Sequence, residues 1–184
     1  AAWLGGPLER VASYMRGLIE DSIHSDVPSE EMISSMLLSH TSQLFRDTPI
    51  RWRPGAVSLV RSVLQRGIPT AIVTASWRLL LDAVLDQMHD EVGTFGASVA
   101  GDEVAFSKPN PTPYIRASEL LAVDISKCLA IEDSLTGTMA AVSSGARTIA
   151  VEHLTPIAVE GSVVVTSLVG HDSLSLWRLF DTNY

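Results

Sequence analysis

From residue 56 onward the sequence alternates short apolar runs with amphipathic helical stretches, and few folds accommodate that order. Apolar runs fall at 69–74, 97–100, 128–131, 148–151 and 163–165, each three to six residues long and rich in β-branched side chains or alanine. Between them lie helical patterns. Ala56, Leu59, Val60, Val63 and Leu64 recur at helix spacing and stop at Gly67; residues 77–88 repeat the pattern. Tyr114, Ile115, Ala117, Leu120 and Leu121 mark another helix, followed by 135–144, ended by Gly145, and by 173–180. Short strands alternating with helices predict an α/β fold with a Rossmann-like parallel sheet flanked by helices. In such sheets ligands gather outside the carboxyl ends of the strands, so those ends are where chemistry is expected.

The first fifty residues follow a different rule. Leu8, Val11, Ala12, Met15, Leu18 and Ile19 recur at helix spacing behind Pro7, which suits a first helical position. Asp26-Val27-Pro28-Ser29-Glu30-Glu31 announces a second helix, with Met32, Ile33, Met36, Leu37, Leu44 and Phe45 on its apolar face. No strand-like run interrupts them. The Pro- and Arg-rich stretch 48–55 ends this block and reads as a linker. Two domains are expected: a helical one over 1–50 and an α/β one over 51–184.

Composition removes several function classes. Hydrophobic residues are 46% of the chain and charged ones 18%, which is incompatible with disorder. The longest stretch without Asp, Glu, Lys or Arg is 32–45, too short and too polar to span a bilayer, and neither a membrane span nor a signal peptide is expected within residues 1–184. Lys and Arg number 13 against 21 Asp and Glu, and no basic cluster offers a nucleic-acid footprint. A single cysteine, Cys128, excludes an internal disulfide and reads as a buried strand thiol in a reducing, cytoplasmic protein. Oligomeric state is not legible.

Three strand ends carry polar residues suited to one site. Thr74 closes the first strand before Ala75 and Ser76; its hydroxyl and the turn's N–H groups suit a phosphate oxygen, or Thr74 caps the next helix. Lys108 follows the second strand in a loop stiffened by Pro109, either aimed at an anion or solvated. Glu132 and Asp133 end the third strand as paired carboxylates of the kind Mg²⁺ accepts, while Asp133 or Ser134 also suits a helix N-cap.

Together these segments resemble the haloacid-dehalogenase-like hydrolases, in the branch of phosphatases and β-phosphoglucomutases. Ala71-Ile72-Val73-Thr74-Ala75-Ser76 resembles that family's second motif. Lys108-Pro109-Asn110-Pro111 with Tyr114 is similar to its third, and Ile131-Glu132-Asp133-Ser134 with Gly137 and Gly145 to its fourth. Trp52-Arg53-Pro54-Gly55-Ala56 resembles the segment returning from a helical cap to the core. Trp3-Leu4-Gly5-Gly6-Pro7-Leu8 is similar to the start of the cap's substrate-facing loop. The resemblance implies Mg²⁺-dependent phosphoryl transfer from a small-molecule phosphate ester, a sugar phosphate above all, through an aspartyl phosphate. It implies catalytic and phosphate-holding roles for Thr74 and Lys108, phosphate contacts from Ala75 and Ser76, and metal binding by Glu132 and Asp133. Gly5 and Gly6 would face substrate, and the cap would open about residues 51–55.

One family element is missing. No D-x-D sequence occurs, whereas the family's first motif places its nucleophile and general acid/base there, on the central strand. The resemblance therefore implies that the sequence starts inside a partial cap, that the core lacks its first, central strand, and that this span alone is inactive. A phosphomutase is the alternative enzyme. The aligned cap positions Glu9 and Ala12, where mutases carry Arg and Ser, favour hydrolysis. Were Ala1 the true start, the chain would instead be a non-catalytic binding module. A dehalogenase has no use for a metal-holding pair at Glu132 and Asp133.

Overall fold

The computed structural model describes residues 8–22, 26–152 and 155–180. The chain divides into two compact units, Ala1–Pro49 and Ile50–Tyr184. In the first, helices α1 (Leu8–Ser22) and α2 (Glu30–Asp47) pack against each other. Ser29 caps α2, its hydroxyl accepting the Met32 N–H at 3.1 Å, and Glu30 and Glu31 follow where the helix dipole favours negative charge. Ala12, Ile33 and Ser42 are buried.

The second unit is the alternating α/β region. Its elements are α3 (Ala56–Gln65), β1 (Ala71–Val73), α4 (Arg78–Val92), β2 (Ala97–Val99), α5 (Thr112–Leu120), β3 (Leu129–Glu132), α6 (Leu135–Ser143), β4 (Arg147–Val151), β5 (Ser162–Val165) and α7 (Ser173–Arg178). All ladders among the described residues are parallel; α4 crosses from β1 to β2 and α6 from β3 to β4. β1 pairs with β2, Ala71 opposite Ala97; β3, β4 and β5 form a three-stranded sheet, with Ile131 opposite Ile149 and Ile149 opposite Val163. Among the described residues no ladder joins β1 to β3.

β4 is central in its sheet, and Thr148 through Val151 are buried. Ile149 and Val151 meet Leu59, Leu168 and Leu176 in one core cluster. A second cluster joins Ala130 of β3 with Ala140 and Ala141 of α6, Ala146 and Tyr114. Small residues let α6 lie close to the sheet.

Several boundaries differ from the sequence reading. β1 stops at Val73, so Thr74 stands just beyond the strand, and Trp77 precedes α4 as its N-cap rather than opening the helix. Cys128 lies before β3, half-buried, closing the turn Ile125–Lys127; burial raises its thiol pKa. The linker expected to act as a pivot is tied to the α/β unit. The Ile50 N–H donates to Gln87 Oε1 at 3.3 Å, and the Trp52 indole donates to Glu91 Oε2 at 2.5 Å, both on α4.

Candidate active site

The carboxyl ends of β1 and β3 face an open pocket of about 300 Å³. Thr74 and Ala75 line it from the first strand end, Glu132 and Asp133 from the second, and Lys108 from the loop after β2. The structure thus brings together five of the six residues expected in the α/β unit. Ser76 is exposed and is not among the lining residues; its N–H donates to Thr74 Oγ1 at 3.0 Å and its carbonyl accepts the Gly101 N–H at 2.8 Å. Gly5 and Gly6 lie outside the described residues.

The open alternatives resolve locally. Thr74 does not cap α4: its oxygen closes a tight turn onto Ser76, while Asp102 Oδ1 from the β2 loop accepts the Arg78 N–H at 2.7 Å. With its oxygen bound to Ser76 N–H, the Thr74 hydroxyl keeps its own proton to donate. Ser134, not Asp133, caps α6, accepting the Gly137 N–H at 3.1 Å. Asp133 therefore has no backbone duty at that helix start, and its side chain is 57% exposed.

Lys108 is not a solvated loop lysine. Its side chain is 8% exposed and that of Glu132 is 7%, and the two form a salt bridge. Lys108 Nζ also donates to the Val73 carbonyl at 2.9 Å, so one ammonium ties the end of β1 to the end of β3. The Lys108–Pro109 peptide is cis. Glu132 Oε1 accepts from Lys108 and from the Tyr114 hydroxyl, and Oε2 accepts from Ser134 Oγ at 3.2 Å. Burial, reinforced by the negative charge of Glu132, pushes the Tyr114 phenol far above its ordinary pKa, so Tyr114 is a permanent donor. The Lys108 ammonium lies 5.2 Å from the Tyr114 ring centroid, a cation–π distance. Gly137 makes room for the carboxylate: a Cβ there would sit 2.0 Å from Glu132 Oε2.

The two neighbouring carboxylates consequently differ. Glu132 is buried and paired. Asp133 is open to solvent, with the Arg53 guanidinium at 3.7 Å. Among the described residues no group of three His, Cys, Asp or Glu gathers as a metal cage. Asp133, the open carboxylate, suits a cation that takes one or two carboxylates and fills its shell with water and phosphate oxygens, whereas both oxygens of Glu132 are already engaged in hydrogen bonds. The donor set fits Mg²⁺.

A clamp holds the two loops of the pocket together. Arg78 Nε and Nη2 both reach the Glu103 carboxylate, at 2.9 and 2.5 Å, and Glu103 Oε2 accepts the Ala100 N–H at 2.8 Å. Glu103 raises the pKa of Arg78, and Arg78 lowers that of Glu103. Gly101 is required by contact, since a Cβ there would lie 2.3 Å from the Ala75 carbonyl oxygen. The sequence pattern did not reveal this clamp or the Tyr114–Glu132 bond, and it placed Arg53 only within the segment returning to the core. Tyr114 stood out as part of a motif, but its partner lies 18 residues away and that of Arg78 lies 25 away. No local pattern links either pair.

Among the described residues no helix is long and apolar enough to cross a membrane. The model of the haloacid dehalogenase-like hydrolases matches residues 14–145. The chain is 34% identical over 105 residues to the bifunctional riboflavin kinase/FMN phosphatase of Arabidopsis thaliana, covering 57% of this chain and 28% of that protein. It is 29% identical over 125 residues to hexitol phosphatase B of Escherichia coli, covering 67% and 55%. The chain thus spans little more than half, or less, of these curated relatives. The crystal structure of CbbY from Rhodobacter sphaeroides in complex with phosphate superposes with a TM-score of 0.73 at 24% identity, over 82% of this chain and 70% of that one, which establishes the shared fold. The family match covers well over half of the sequence: the chain belongs to the haloacid dehalogenase-like hydrolases.

Proposed function

We propose that this chain belongs to a Mg²⁺-dependent phosphatase that hydrolyses a small phosphorylated metabolite, most simply a sugar phosphate. The observation that carries the reading is the buried Lys108, fixed by Val73 and Glu132 beside Thr74 and an open Asp133. An ammonium has three N–H donors. Two are committed to Val73 and Glu132, leaving the third for a phosphoryl oxygen. The Thr74 hydroxyl donates to a second oxygen, and the Ala75 backbone at the same turn completes the cradle. At 4 Å and an effective dielectric of 20, one lysine–phosphate pair is worth about 4 kcal/mol. Bound at Asp133, with Glu132 in support, Mg²⁺ would supply charge neutralisation for the transferring group.

In this reading the nucleophile is an Asp on a further strand between β1 and β3, outside residues 1–184, and phosphoryl transfer passes through an aspartyl phosphate. The helical unit is read as part of a cap that keeps water from that step. The relatives named for phosphatase activity on FMN and on hexitol phosphates support a phosphate monoester of metabolite size. The test is hydrolysis of p-nitrophenyl phosphate and a panel of sugar phosphates and FMN by the full-length protein, with and without EDTA. EDTA and Asp133→Ala should each abolish turnover. Activity surviving either change overturns the reading.

A further inference from the structure

We propose that Arg53 is a positioning residue for Asp133, presenting one carboxylate oxygen to the cation by holding the other; this rests on Asp133 being the cation's ligand. Arg53 comes from the segment before α3, whose path is set by Ile50 and Trp52 on α4 and by the Ala56 N–H on its own carbonyl at 3.0 Å. Its guanidinium is a fork. Nη2 donates to the Glu152 carbonyl at 2.9 Å, beyond the end of β4, and Nη1 lies 3.7 Å from Asp133 Oδ2.

Two facts give this contact direction. Arg53 Nη1 is buried and has no hydrogen-bond partner, although its ion-pair partner is an open carboxylate. A buried charged donor without an acceptor is unfavourable, so a modest turn of the Asp133 carboxylate toward it is favoured. Asp133 also stands between two cavities. Lys108 lines the first; Arg53 lines a second, of about 280 Å³, together with Val151 and Leu168; Ile131, Glu132 and Asp133 line both. Arg53 thus approaches Asp133 from the cavity that Lys108 does not line. With Oδ2 held there, Oδ1 is left for the first cavity, where phosphate and cation are expected.

A rival account has the opposite sign. Were Arg53 only a positive charge near the site, it would repel the cation, and removing it would tighten binding. Positioning requires the fork, because a single ammonium cannot serve the Glu152 carbonyl and Asp133 in the same plane. The probe is Mn²⁺ alone, an oxygen-seeking stand-in titrated by electron paramagnetic resonance into the full-length protein without substrate. Arg53→Lys and Arg53→Met should each weaken Mn²⁺ binding by about 10- to 100-fold, the range for partners that orient metal ligands. Far-ultraviolet circular dichroism reports folding, and if Arg53→Met fails to fold, Arg53→Lys decides. Wild-type affinity in Arg53→Lys, or tighter binding in Arg53→Met, overturns the proposal while Asp133→Asn still loses the ion. Unchanged binding in Asp133→Asn overturns the metal reading and this proposal with it.

Discussion

Tyr114 and Lys108 meet on one oxygen of Glu132, and this shared acceptor sets what each substitution should do. Tyr114→Phe removes a donor from a buried, charged acceptor and adds no volume. It should cost about 1.5–3 kcal/mol of stability, seen as a lower urea midpoint with an unchanged slope. Lys108→Met should leave Glu132 buried with no cation among its hydrogen-bond partners. In the full-length enzyme it should lower kcat for a phosphate ester by about 10²- to 10³-fold, the usual loss when one donor to the developing charge is removed. The residue types at these positions were legible in the sequence, because Thr74, Glu132 and Asp133 fall at or just beyond strand ends and Lys108 lies in the loop that follows β2. Their division of labour was not. Glu132 and Asp133 look equivalent as a dipeptide, yet adjacent residues at a strand end point to opposite sides, so one is buried on Tyr114 and the other opens to solvent.

Elements meet at this site through contacts that leave no periodic trace. The strands and helices of the α/β unit appear where alternation placed them, because hydrophobic period is a local property. The clamp between the α4 start and the β2 loop is a tertiary property carried by Arg78, Asp102 and Glu103, three charged residues that read as ordinary surface. Glu103 holds its proton less readily than the usual 4.5 for such a group, first because Arg78 donates to it and then because the Ala100 N–H does. A carboxylate with a lowered folded pKa contributes stability above its unfolded value, and loses it as pH falls through the lower folded one. Thermal midpoints should therefore drop more steeply below about pH 4.5 than in Glu103→Gln. The difference should be small, because Glu103 is 41% exposed and water screens the pair. Gly101→Val, which pushes a branched side chain at the Ala75 carbonyl, should cost about 1–3 kcal/mol or more by differential scanning calorimetry.

At the scale of the whole molecule, the described residues form two sheet pieces, β1–β2 and β3–β4–β5, and Lys108 rather than a ladder bonds the end of β1 to the end of β3. Unpaired edges exchange their amide hydrogens quickly and invite pairing by another strand. Hydrogen exchange on residues 1–184 alone should show the edges of β1 and β3 toward that gap unprotected, and the same amides protected in the full-length protein. Equal exchange in both would remove the reason to place a strand there. The tie itself has a practical consequence for chemical labelling. The sequence contains two lysines, Lys108 and Lys127, and Lys127 is exposed while Lys108 is closed off. An acylating reagent should mark Lys127 first, and acylation of Lys108 should report, molecule by molecule, when its pairing with Glu132 has come apart.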